Sequence, residues 1–70
     1  MKKYFNVSFQ YSENVYCANI AHAERAEDVE AHYSAKYEWC KVYEATAADV
    51  EEAKRKGKPI VEIEPAPKVD

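Results

Sequence analysis

A short pattern occurs twice in this chain. Ala26-Glu27-Asp28-Val29-Glu30-Ala31 recurs as Ala48-Asp49-Val50-Glu51-Glu52-Ala53, aligned on Val29 and Val50. Each copy opens a stretch of helical character, and each follows a strand-like run carrying a cysteine, Cys17 or Cys40. Two strand–helix units in tandem restrict the fold to helices that cross between strands of one sheet.

The segments around the two units complete that frame. Residues 3–11 alternate strictly, with Phe5, Val7, Phe9 and Tyr11 on one side and Tyr4, Asn6, Ser8 and Gln10 on the other. Aromatic and β-branched residues at period two define a strand. Ser12-Glu13-Asn14 supplies turn chemistry, because Asn tolerates positive φ, and Val15 to Ile20 forms the second strand of a hairpin. A helix follows from about Glu24 to Lys36, with Ala26, Val29, Tyr33 and Tyr37 on one side and acids in its first turn. No clean N-cap precedes it. Trp39 to Ala45 is the third strand. Thr46-Ala47-Ala48-Asp49 has the capping-box form with Asp in place of Glu. The second helix runs to Lys56 on a thin stripe of Ala47, Val50 and Ala53; Gly57 suits the position after its end, and Pro59 prevents continuation. Ile60 to Glu64 is a short final strand. Residues 1–64 form one domain, and residues 65–70, Pro65 to Asp70, a flexible tail.

The element order is therefore β-β-α-β-α-β. Right-handed crossovers predict an α+β two-layer sandwich, a four-stranded mixed sheet with both helices on one face. Alternation leaves the strand order open. It assigns Phe5, Val7 and Phe9 to the helix side, with Cys40, Val42, Val61 and Ile63. The opposite side receives Tyr4, Asn6, Ser8, Gln10, Trp39, Lys41, Tyr43 and Glu62, with Tyr16 and Ala18 from the second strand.

Composition narrows the function classes. Seventy residues allow one small core, and much of the 47% apolar fraction is alanine, so self-association is an expected source of stability. A net charge of −3 argues against non-specific nucleic-acid binding. Met1-Lys2-Lys3 opens like a secretion signal, but the residues after it alternate instead of forming an apolar block. No apolar run approaches the roughly 20 residues of a membrane span. A cytoplasmic protein with reduced thiols is expected.

Chemistry-bearing residues are sparse. Cys17, His22, His32 and Cys40 are zinc-ligand types, but no Cys-x2-Cys or His-x3-His pair occurs, and mid-strand thiols in apolar company are inert. The expectation is a non-enzymatic protein with no metal and no cofactor. The expected contact surface is the uncovered sheet face around Tyr4, Tyr16, Trp39, Lys41 and Tyr43, whose aromatic rings bring large area and keep a polar tip. It would bind a protein partner or a second copy. The alternative is a nucleic-acid-related role. Lys54, Arg55, Lys56 and Lys58 would bind phosphate, or the acidic helix faces would mimic it.

The runs Asn14-Val15-Tyr16-Cys17-Ala18-Asn19-Ile20-Ala21, Glu30-Ala31-His32-Tyr33 and Glu38-Trp39-Cys40 give the chain a resemblance. It resembles small uncharacterised proteins of gut Firmicutes and their mobile elements. That resemblance implies a bacterial cytosolic accessory protein, and it carries no activity or site residues with it.

Overall fold

The computed structural model describes residues 1–65; residues 66–70, most of the expected tail, lie outside the described residues. Strands β1 (Lys3–Ser12) and β2 (Val15–Ala23) form the hairpin, followed by α1 (Ala26–Ser34), β3 (Cys40–Glu44), α2 (Ala47–Arg55) and β4 (Ile60–Glu62). They build a four-stranded mixed sheet in the order β3-β1-β2-β4. β1 runs antiparallel to both β2 and β3, while β4 lies parallel to β2. The class is α+β.

Local chemistry sets the element ends. Asn14 takes a φ of 62° at the hairpin tip, the left-handed turn position that Asn accommodates. The capping box closes at α2: Asp49 N–H donates to Thr46 Oγ1 (3.1 Å) and Thr46 N–H donates to Asp49 Oδ2 (3.0 Å). At the other end of α2, Gly57 adopts a φ of 73°. Its N–H donates to the Lys54 carbonyl and the Lys58 N–H donates to the Ala53 carbonyl, which is the Schellman pattern. Arg25 sits at the N-cap of α1 and makes no side-chain cap; its guanidinium instead reaches Asp28 Oδ1 at 3.2 Å. The repeated pattern is structural, since Asp28 and Asp49 are both the third residue of their helix and Val29 and Val50 both the fourth.

The helices do not share a face. Phe5, Val7, Phe9, Ala21, Ala23 and Ile63 pack with Val29 and Tyr33 of α1, and Cys17, Cys40, Val42 and Val61 border that cluster. Ile20 packs with Val50 and Ala53 of α2, bordered by Tyr4, Ala45 and Ile60. Because Ala21 and Ile20 are neighbours on one strand, they point to opposite faces of the sheet. The expectation of both helices on one face is therefore corrected, and the reason is the strand order. The β2-α1-β3 crossover passes over β1 in one direction; β3-α2-β4 returns across β1 and β2 in the other. Two crossovers of the same hand running in opposite directions leave their helices on opposite faces.

β2 extends three residues beyond the expected end, because Ala21, His22 and Ala23 pair with Phe5, Tyr4 and Lys3. Those residues have modest strand propensity of their own, and the pairing with β1 overrides it.

Candidate functional site

The register arranges the second face in cross-strand rows. Gln10 lies between Trp39 and Tyr16, Ser8 between Lys41 and Ala18, Asn6 between Tyr43 and Ile20, and Tyr4 between Ala45 and His22. α2 covers the last two rows except Tyr43, which stays exposed at the outer end of its row. Val50 and Ala53 rest on Ile20 and Tyr4, and Asn6 Nδ2 donates to Asp49 Oδ2 at 3.0 Å. Hydrogen bonds from the Thr46 backbone and then from Asn6 hold the Asp49 carboxyl below its ordinary range. Among the described residues no helix packs over Gln10, Tyr16, Trp39 or Lys41.

The five residues expected at this face separate accordingly. Tyr16 and Trp39 come together edge-on, ring centroids 5.8 Å apart, reaching across Gln10. They are 64% and 43% exposed. Lys41 and Tyr43 stand exposed on the same face of β3. Tyr4 does not join them. It stacks on His22 at 4.5 Å and borders the α2 core. The open surface is thus Gln10, Tyr16, Trp39, Lys41 and Tyr43, an aromatic–polar patch on three strands.

A cluster that alternation did not reveal lies at the other end of that face. Glu62 Oε2 is 2.8 Å from His22 Nδ1, and Lys2 Nζ donates to Glu62 Oε1 at 3.1 Å. The His22 hydrogen bond, then Lys2, lowers the Glu62 carboxyl from its ordinary range. This cluster fastens the three-residue β4 to the hairpin. The signal for it was the extension of β2 through His22, which depends on pairing with β1 and not on local pattern.

Cys17 and His22, two of the zinc-ligand residue types, are not brought together. Cys17 lies on the α1 face and His22 on the α2 face. Burial, and then the nearby charge of Glu30, raises the Cys40 thiol above its ordinary value and so disfavours the thiolate. His32 packs edge-on against Tyr33. Among the described residues no group of three or more His, Cys, Asp or Glu is placed to hold a metal, and no helix is long and apolar enough to cross a membrane.

The basic run surrounds the C-terminus of α2, where cations complement the helix dipole. Lys56 and Lys58 line a cleft of about 150 Å³ between α2 and β2, but Asp49 and Glu52 line it too, and Lys56 pairs with Glu52 at 3.0 Å. The mixed signs make it a poor phosphate groove. A broader hollow of about 450 Å³ lies at the hairpin tip, bounded by Tyr11, Ser12, Lys36 and Tyr37.

No protein-family model, curated protein or solved structure matches the chain.

Proposed function

We propose that this protein is a non-enzymatic interaction module, acting in the cytoplasm, which binds a protein partner through the open aromatic end of its sheet. The observation that carries this reading is the exposed Tyr16–Trp39 pair, set among Gln10, Lys41 and Tyr43 with no helix above it among the described residues. Large rings with few rotors and a polar tip make efficient contact residues. The other half of the same face is used internally by α2, so the chain has the means to cover its apolar surface and leaves this end bare. An accessory role in a bacterial mobile element is the setting suggested by the sequence resemblance.

The test compares the native protein with a Tyr16→Ala/Trp39→Ala variant, both immobilised and exposed to source-cell lysate. Proteins retained by the native form and not by the variant, whose circular dichroism should remain that of the native fold, support the reading. Identical retention by the two forms removes it.

A further inference from the structure

β3 is an outermost strand, and among the described residues its far side has no strand partner. The register decides which backbone groups this leaves unpaired. Gln10 N–H donates to the Trp39 carbonyl (3.1 Å), and Ala45 N–H donates to the Tyr4 carbonyl (3.0 Å). Both pairs continue the ladder that runs from Phe5 opposite Glu44 to Phe9 opposite Cys40. Antiparallel partners alternate between hydrogen-bonded and non-hydrogen-bonded pairs. Trp39, Lys41, Tyr43 and Ala45 therefore turn their backbone groups towards β1, and Cys40, Val42 and Glu44 turn theirs outwards. The edge offers three N–H and three C=O groups in a row, with no proline or bulge in the strand to blunt it.

The side chains flanking this row differ by face. On the open face Lys41 and Tyr43 point up beside Trp39. On the other face lie Cys40, Val42 and Glu44, and α1 packs most closely over β3 there, with the charge of Glu30 close enough to act on Cys40. The two faces of the edge thus ask for different residues in an added strand.

We propose that the β3 edge takes an extended peptide segment of a protein partner, added antiparallel along Cys40–Glu44, with basic side chains on the α1 side and aromatic ones over the open face. This rests on the reading of the protein as an interaction module and names the chemistry of its partner. Alternate residues of the incoming strand face Glu44, Val42 and Cys40, so a basic–apolar–basic set meets Glu44 at one end and the field of Glu30 at the other. Its remaining residues extend the aromatic patch beyond Tyr43. A second copy fits less well. The register that forms most edge hydrogen bonds puts Val42 opposite its own counterpart, which brings Glu44 of each copy against Cys40 and the Glu30 charge of the other. Like charges then meet on both sides of the dyad.

The experiment titrates the isotope-labelled full chain with a capped Arg-Tyr-Val-Tyr-Lys peptide and follows amide shifts and hydrogen exchange by NMR. The expected result is slowed exchange of the Cys40, Val42 and Glu44 amides, with a shift of the Trp39 indole. Val42→Pro removes one outward N–H without touching the ladder to β1, and should weaken the peptide at least about tenfold while the spectrum stays dispersed. Because that variant is open to a folding defect, Glu44→Lys provides the second arm. It should weaken the basic peptide about threefold and favour a capped Glu-Tyr-Val-Tyr-Glu peptide instead. Equal binding of both peptides by the native chain overturns the proposal, as does protection along the part of β2 before Ile20, which β4 leaves unpaired, in place of β3. An unchanged preference in Glu44→Lys does so too. Slow exchange of the three edge amides without peptide, in a chain that sediments as a dimer, overturns it in favour of a second copy. Failure of the peptide with lysate proteins still lost on Tyr16→Ala/Trp39→Ala removes the edge site and leaves the module; failure of both removes both.

Discussion

At the scale of single residues, two positions at the ends of α2 carry more of the fold than their size suggests. Gly57 holds a φ of 73°, and a Cβ built there meets nothing within 4 Å, so a side chain is opposed by backbone conformation alone. Gly57→Ala is expected to lower stability by about 1 kcal/mol in urea denaturation, and Gly57→Asn by less. Thr46→Ala should remove a similar amount, about 1 kcal/mol, because it opens the capping box. The box also has a pH signature. The Asp49 carboxyl is held below its ordinary 3.8 by the Thr46 backbone and Asn6. A depressed acid contributes stability that is full above its unfolded value and lost as pH falls through the folded one. Urea midpoints of the native chain should therefore be flat above about pH 5 and decline below the ordinary carboxylate value, with part of the decline absent in Asp49→Asn. A midpoint that rises on acidification would contradict the geometry of the box.

The two repeated units look alike as elements and are anchored unequally. Val29 is fully buried in a cluster that also holds Phe5, Val7, Phe9 and Tyr33, whereas Val50, among the described residues, has only Ile20 and Ala53 as buried company. Val29→Ala is expected to destabilise the whole chain by about 2 kcal/mol or more, and Val50→Ala by about 1 kcal/mol. Native-state hydrogen exchange should show α2 opening locally at lower free energy than α1 and the hairpin; a single shared opening energy for both helices would refute the inequality. The sequence was legible wherever local pattern decides the outcome. The alternation of β1, the turn at Asn14, the box at Thr46–Asp49 and the stop at Gly57 are each written in neighbouring residues. Even the sides assigned to Tyr16, Trp39 and Glu62 follow from period two. What could not be read was non-local: the end of β2, which depends on pairing with Lys3–Phe5, and the sheet face that α2 occupies. Tyr4 shows the consequence, since its side of β1 was correct but the helix above it was not anticipated.

On the scale of the whole molecule, the strand order explains both the covered and the uncovered surface. Among the described residues, the base of the hairpin and β4 have a helix packed on both faces, while the Phe9 row nearer the tip is packed on the α1 side alone. The open patch is therefore a product of topology: α2 must return across the sheet to deliver β4 beside β2, and nine residues do not cover the full length of the strands. The same order places β1 between the two cysteine strands. Phe9 is the register partner of Cys17 on one side and of Cys40 on the other. Strands lie 4.7–4.9 Å apart, so the two Cα atoms are separated by about 10 Å, beyond the roughly 7 Å limit for a disulfide. Mild oxidation of the folded chain should leave no internal bridge, and alkylation after denaturation should recover both thiols. A folded monomer two hydrogens lighter, with neither thiol alkylated, would mean that β2 and β3 are neighbours. The order β3-β1-β2-β4 would then be wrong, and with it the helix placement that leaves Tyr16 and Trp39 in the open.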